Sequence, residues 1–583
     1  MTTSRTYTAP LVVLEVAAGA LVAYRPDVQL VTVPAEVVDL ASAADWALSY
    51  GLGASKLSPH YGEDFGPLLV LTEAATEFLG LPTKLEDRQN LRLPEDHPAR
   101  KALTEAGWEL GRAGLAPWTF LYRERIECRF AFVPWGAFDT DLMRWGGIAD
   151  SGDAASLAYV LGMFAERLIT PTGSTAATSL ELMTAVRPPK RLDYTGGRMR
   201  RVPVPGSLSI AIDPAPPEAI DEHPIAAGRT REQSRNPRYV VMEESLAWFR
   251  APTEEEQQLP NVVGVDVCMA FGAASNRLDI GLGKALHTDG PRFDKKIPGA
   301  WLCDFSGVKL HARDLVTKEW RPLPDTFPSP FTPDGRPPTG PAWYETPTVA
   351  YAVELGVEVK PLEGWLRVEP IEPDLPAVGG YFDLWYQRLQ KAYLETLADL
   401  GITVDMPVAE FIAAMATVND RDPEAAALLR AIKQVAKGGI GKMAEKPQGK
   451  NKRERNAPWP ALKRPTYSPH ARYTVIAASR TGAHRKAVKT WLATGRVPLA
   501  VLADCWLYAS PEPSALAVVP RKPDGSPLPG GWRIGPNPGY VKEEGVRSME
   551  WYLDLLAKGE AAGKAINPGR FIKQGRDAVM DGE

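Results

Sequence analysis

Residues 261 to 274, NVVGVDVCMAFGAA, constrain the fold of this chain more than any other stretch. They set one carboxylate, Asp266, inside an apolar run that ends in small residues. A near-continuous valine run reads as a strand covered on both faces. Burying a carboxylate there is costly unless it is paired with a cation or binds a metal. Standing alone, such an aspartate is more often a turn or N-cap residue. Its meaning therefore depends on what the rest of the chain sets beside it.

The chain has 583 residues, a length that points to about three or four domains. With 44% hydrophobic and 24% charged residues it has the composition of an ordinary soluble globular protein. A formal net charge of -4 argues against a protein that coats polyanions over its whole surface. Nucleic-acid contact then has to come from local basic patches, as in a cleft-shaped enzyme. Cys128, Cys268, Cys303 and Cys505 show no CxxC spacing, and the histidines no HExxH or HxxxH pairing. Neither a disulfide framework nor a zinc site is indicated. Reduced thiols suit a cytoplasmic protein. The apolar patch from Leu11 to Val22 is interrupted by Glu15 and followed by no small-residue cleavage site. No other segment reaches the roughly 18 apolar residues of a membrane span. The expectation is a soluble protein that is not exported.

Residues 1–185 read as mixed α/β. A strand is expected over Leu68–Leu71 with a helix ending at Gly80, and another strand over Ile126–Val133. A helix capped by Asp153 follows. Residues 186–256 are Pro- and Arg-rich, weakly periodic, and read as a connector running over a surface. Further on, residues 381–400 keep one apolar face and stop at Gly401. A second helix opens with Asp422 at the N-cap and Pro423 at N1 and is expected to end at Gly438. A helix over about 474–493, stopped at Gly495, precedes a hairpin, VPLAVL then WLYAS, with Asp504 at its turn.

These pieces fit one chemistry. Template-directed nucleotide addition uses two carboxylates holding two divalent metals about 3.5–4 Å apart, with cations on a helix that meets the triphosphate. Asp266 in its strand and Asp504 in its turn supply the carboxylates. Arg430, Lys433 and Lys437 form a basic stripe on the capped helix, opposite Leu428, Leu429, Ile432 and Val435. Taken singly, a hairpin-turn Asp and a solvated basic face are the plainer readings; their conjunction and order favour the site.

On these residues the chain resembles family B DNA polymerases from about 257 to 550. Their first motif, D-x-x-S-L-Y-P, is similar to residues 266–272, DVCMAFG, with Phe271 in the aromatic steric-gate place. Their fingers motif, K-x-x-x-N-S-x-Y-G, matches residues 433–441, KQVAKGGIG, in spacing, with Lys437 for Asn and Ile440 for Tyr. The third, Y-x-D-T-D-S, resembles residues 502–505, LADC. The preferred register makes Asp504 the second, metal-binding Asp, because Cys505 mimics Ser; the alternative puts Trp506 there and breaks the pair. Arg480 matches the Arg of the T-A-x-x-R helix before the hairpin, and Lys542 the lysine that approaches the primer end. The resemblance implies an α+β multidomain fold. A degenerate RNase H-like exonuclease domain (1–185) and the connector (186–256) precede the palm (257–375). Fingers helices (376–445), the second palm part (446–520) and a short thumb-like region (521–583) follow. It also implies Mg2+ or Mn2+ at Asp266 and Asp504. Deoxynucleoside triphosphates would meet Lys433, Arg430, Lys437 and Phe271.

The N-terminal half, in GPLLVLTEAATEFLGLP, GWELGRAGLAPWTFLYR and ITPTGSTAATSLELMTAVRPP, resembles the telomere-associated protein family (Tap) of Streptomyces and related actinobacteria. That resemblance implies single-stranded DNA at a telomeric 3′ end, and a terminal protein, as partners. The exonuclease needs D-x-E on its first strand. Glu15 and Glu73 lack the pair, and Asp139 and Asp141 read as loop carboxylates, so the domain is expected to be inactive. The tract 442–464, with Lys450, Lys452, Arg453 and Arg455 and with Trp459 and Tyr467 nearby, reads either as a phosphate-tracking, base-stacking surface or as a solvated loop. Three readings of function stay open: a metal-dependent, protein-primed or DNA-primed polymerase, a polymerase-like scaffold that binds DNA without catalysis, and a DNA-binding regulator of a mobile element.

Overall fold

The computed structural model describes residues 10–573 except 59, 61, 63, 87–90, 125, 151, 195–197, 315–316 and 449–455. The chain is α+β and divides into two compact units. The first is Met1–Pro203 with Gln387–Leu400 and Val418–Lys442; the second is Val204–Tyr386 with Gly401–Thr417 and Met443–Glu583. No helix among the described residues is long and apolar enough to cross a membrane.

The first unit opens on a seven-stranded sheet. Its strands are β1 (Leu11–Ala17), β2 (Ala20–Tyr24), β3 (Leu30–Thr32), β4 (Leu68–Leu71), β5 (Glu109–Leu110), β6 (Trp118–Arg123) and β7 (Ile126–Phe132). They lie in the order β3-β2-β1-β4-β7-β6-β5. β4 is parallel to both β1 and β7, and the remaining neighbours are antiparallel. Leu11–Leu14 and Leu68–Leu71 are wholly buried, as strands covered on both faces must be. The only acid on β1 is Glu15, whose Oε1 accepts from the Val16 N–H. Asp139 caps its own loop, accepting from the N–H groups of Asp141 and Leu142 at 2.8 and 2.6 Å. Helices α1 (Ala154–Arg167) and α2 (Thr175–Val186) follow, the former capped by Asp153 on the Ser156 N–H at 2.8 Å.

In the second unit β8 (Ala247–Phe249) and β9 (Asn261–Val267) lead into a six-residue helix α3 (Ala270–Ser275). Then β10 (Lys284–Asp289), β11 (Gly299–Asp304), β12 (Pro341–Glu345) and β13 (Glu363–Glu369) form an antiparallel sheet ordered β10-β13-β11-β12. The stretch 204–256 is not a surface strap. Glu218 and Glu243 are buried and ion-paired with Arg367 and Arg480. A Pro-rich segment shows no periodicity, so the burial of single carboxylates in it leaves no trace in sequence. Glu345 joins the same buried network. Burial, with Glu218 and Glu243 beside it, pushes its carboxyl well above the usual range.

Helix α4 (Asp383–Asp399) is pinned in the first unit by Arg167, which donates to Thr396 Oγ1 at 2.6 Å and pairs with Asp399. Helix α5 (Pro423–Lys442) starts at its Asp422 cap but runs past Gly438. A Cβ on Gly438 would stand 2.9 Å from the Cβ of Ala176, and one on Gly439 2.1 Å from Ser179 Oγ. These glycines let α5 close on α2; they do not end it.

The chain returns to the second unit with α6 (Pro469–Thr494), ended by Gly495 at φ +74°. A hairpin of β14 (Ala500–Leu502) and β15 (Cys505–Ser510) and a last strand β16 (Val541–Ser548) complete an antiparallel sheet, β8-β14-β15-β9-β16.

Candidate functional site

β9 is flanked by β15 and β16, and Asp266 is its last residue but one. Directly opposite Asp266 stand Cys505 on β15 and Lys542 on β16. Residues directly opposite one another share a face of a sheet, so thiol, carboxylate and ammonium form one row. Lys542 Nζ lies 2.9 Å from Asp266 Oδ2 and also pairs with Glu544. Glu544, two residues on from Lys542 along β16, falls on the same face, and it is the extra residue where the register slips between Gly264 and Val265. Lys573 closes the series on Glu544 at 2.7 Å.

The ladder is therefore Asp266, Lys542, Glu544, Lys573, two carboxylates against two ammoniums. Its last member is held by local geometry. Gly264 and Gly545 are opposite each other, and a Cβ on Gly545 would sit 2.5 Å from the Ile572 carbonyl oxygen. Arg547 Nη2 donates to the Lys573 carbonyl at 2.9 Å. Electrostatics follow the contacts. Burial raises the Asp266 carboxyl, against the pull of Lys542. Burial disfavours the Lys542 ammonium, yet Asp266 and Glu544 hold it well above the ordinary lysine value. Glu544 is lowered: Lys542 and Lys573 outweigh its burial.

Asp504 sits in the two-residue turn after Ala503, whose φ is +55°. Its carbonyl accepts from the Val267 N–H at 3.2 Å, which ties the turn to the end of β9. Around the turn the strands pair so that Cys505 faces Asp266, while Trp506 is opposite Val265 and buried. Asp504 helps line a cavity of about 320 Å³ with Tyr386, Ser479, Lys486 and Tyr540. Lys486 donates to the Gly539 carbonyl at 2.6 Å and lies over the Trp532 ring. Burial and Arg533 bring its ammonium down to about 8.

Whether these residues fit a divalent metal pair is decided by the ladder. One oxygen of Asp266 is taken by an ammonium, and the residue facing it is a thiol. Burial, with Glu544, Asp266 and Asp504 around it, holds that thiol well above its ordinary value and protonated. Among the described residues no three His, Cys, Asp or Glu side chains converge to hold a metal. With Lys542 on one Asp266 oxygen and a protonated thiol opposite, the pair as it stands offers fewer free acceptors than a two-metal site uses.

The other expected positions are placed as follows. Lys433 is half-exposed and Lys437 exposed on α5, in the first unit. Arg430, on the same stripe, is used internally: Nε donates to the Gly146 carbonyl at 2.8 Å and Nη1 to Asn419 Oδ1 at 3.2 Å. Phe271 is half-buried on α3. Two expected DNA contacts are corrected. Arg480 is buried, pairs with Glu243 and donates to the Glu244 carbonyl at 2.9 Å. Lys542 is saturated by its two carboxylates. Lys450, Lys452, Arg453 and Arg455 lie outside the described residues. Nearby, Trp459 and Tyr467 are buried around His223, so they offer no base-stacking surface. Glu544, Lys573 and Lys486 had not been anticipated; only the charged run Lys542-Glu543-Glu544 hints at the first.

Comparison with known proteins adds the following. A family model described as a domain of unknown function (DUF8841) matches residues 12–174. No curated protein matches. Among solved structures, phi29 DNA polymerase with primer-template DNA and incoming nucleotide is similar at 10% identity and a TM-score of 0.40, over 92% of this chain and 84% of that one. The same polymerase with single-stranded DNA is similar at 11% identity and 0.36, over 83% and 76%. Its post-translocation binary complex is similar at 11% and 0.37, over 92% and 84%.

Proposed function

We propose that this chain is a DNA-binding protein on a family B polymerase-like scaffold whose nucleotidyl-transfer centre is closed by an internal ion-pair ladder. The observation that carries the reading is Lys542 on Asp266 at 2.9 Å, with Cys505 on the opposite side. Support for the scaffold comes from the order of the three motifs along the chain. It also comes from the strand of the first motif lying directly against the hairpin of the third. The first unit's order β3-β2-β1-β4-β7, an antiparallel meander followed by parallel strands, suits an RNase H-like domain. Its first strand has Val13 where the paired carboxylate would stand.

The resemblance of the N-terminal half to the Tap family supports a role at the ends of linear replicons. There the chain would bind the single-stranded 3′ end and engage a terminal protein, which would place it at the nucleoid. A second reading, metal-dependent nucleotide addition, is favoured by one observation: Asp504 and Lys486 line a cavity beside the end of β9.

Primer extension separates the two. With Mg2+ or Mn2+, deoxynucleoside triphosphates, and either a DNA primer or a terminal-protein hydroxyl, the scaffold reading expects no incorporation, while salt-sensitive binding of single-stranded DNA remains. Incorporation that Asp504→Asn abolishes would establish the second reading instead. Binding that fails to distinguish telomeric 3′ ends from random strands would remove the telomere assignment.

A further inference from the structure

The second unit carries an arginine-lined groove, remote in sequence from the polymerase motifs, that the reading so far leaves unused. One wall is the segment 229–238, RTREQSRNPR, in which Glu232 is the only acid. Arg229 is spent on structure: it donates to the carbonyls of Ala219 and Pro216 at 2.9 and 2.6 Å. Arg231, Arg235 and Arg238 are exposed and make no ion pair among the described residues. The facing wall, around residues 333–341, is rich in proline and adds Arg336 beside Asp334. Between the walls lies a groove of about 1320 Å³ with Trp343 and Tyr344 in its lining.

Several features select the ligand. The volume exceeds the ~300–1,000 Å³ of small-molecule sites, so the occupant is a length of polymer. The uncompensated cations are all guanidiniums, which match phosphate oxygens in bidentate fashion better than ammoniums do. The arginine wall is already ordered. Trp343 donates from its ring to the Arg238 carbonyl at 2.8 Å and from its backbone to the Pro237 carbonyl at 2.9 Å. Thr230 and Gln233 exchange hydrogen bonds at 2.9 and 3.2 Å. A pre-ordered wall reduces the entropy lost on binding. Tyr239, 46% exposed, lines a second cavity of about 420 Å³ that shares Arg238 and Trp343 with the groove, and offers a face on which an unstacked base can lie beside it. A duplex keeps its bases inside and would use none of this apolar surface.

We infer that this groove binds a single nucleic-acid strand, its phosphates on Arg231, Arg235 and Arg238. The inference rests on the reading of the chain as a nucleic-acid binder and locates the strand on a named surface.

The test is fluorescence anisotropy of the full-length protein with a labelled oligothymidylate of about 16 nucleotides, titrated across a range of NaCl concentrations. The triple variant R231E/R235E/R238E is compared with wild type. A charge-matched control, K101E/K360E/K391E, alters lysines that are exposed and next to their own carboxylates. Circular dichroism of each variant establishes that it is folded. Three lost phosphate contacts should lower the slope of log K against log[salt] by about 2, and affinity by about tenfold or more near 0.15 M salt. The control should keep the wild-type slope. Equal binding by wild type and triple variant overturns the groove while leaving the chain a nucleic-acid binder. No binding by wild type overturns the broader reading as well. Loss of binding to a polyglutamate peptide in the triple variant, with oligothymidylate unaffected, reassigns the groove to an acidic peptide and overturns the inference.

Discussion

Replacing Lys542 by methionine keeps the length of the side chain and removes its charge. Lys542 and Asp266 are each only 12% exposed as side chains, so solvent screens their interaction little. The variant leaves Asp266 buried without its cation, whereas Glu544 keeps Lys573. Removing one partner of a buried pair costs about 3–5 kcal/mol. With Glu544 still compensated, the lower end, about 3 kcal/mol, is expected. Lys542 is held above its ordinary value of 10.5. Its contribution is therefore complete below that value and is lost only as pH rises through the raised one. The deficit should be constant from about pH 7 to 9. Urea denaturation followed by tryptophan fluorescence reads it. Adding Asp266→Asn to Lys542→Met should recover part of the loss, with a coupling of about 0.5–3 kcal/mol. A Lys542→Met protein within about 0.5 kcal/mol of wild type, the range of plain surface changes, would refute the ladder.

Four further outcomes follow from the same structure. His484 is fully buried, with Nε2 on the Pro328 carbonyl and Nδ1 on the Tyr351 hydroxyl, both at 2.8 Å, and burial lowers it from 6.5 to about 4. A lowered group supports the fold above its unfolded value, so about 3 kcal/mol should be lost as pH falls from 6.5 towards 4. His484→Gln should flatten that part of the stability profile. Arg480→Met should cost about 3–5 kcal/mol by stranding Glu243 and leave the salt slope of DNA binding unchanged in anisotropy. Gly439→Val should destabilise by about 1–3 kcal/mol through its clash with Ser179. Gly441→Ala, where a Cβ meets nothing within 4 Å, should be neutral or stabilising by up to about 1 kcal/mol in thermal melts.

Strands and helix starts were legible where one residue type settles local geometry. The buried run Leu68–Leu71, the Asp153 and Asp422 caps and the Gly401 and Gly495 stops all lie where periodicity and capping put them. Asp266 was legible as a carboxylate needing a partner, but the partner was not. Lys542 and Glu544 both come from a strand far along the chain, and nothing in the local pattern shows that this strand pairs with β9. The basic stripe on α5 concealed that Arg430 is used on Gly146, because exposure cannot be read from helical spacing alone. Arg480 was misplaced for a related reason: its partner Glu243 lies in a stretch without periodicity. Gly438 reads like a helix stop, yet here it meets the constraint of a neighbouring helix at close range.

The closing of the metal centre is tested most directly by manganese. Electron paramagnetic resonance of free Mn2+ can be followed as the full chain is added with primer-template DNA and deoxynucleoside triphosphate. The ladder predicts the same free-Mn2+ signal for wild type, Asp266→Asn and Asp504→Asn. A Mn2+ ion withdrawn from solution by wild type and released by either substitution would contradict it.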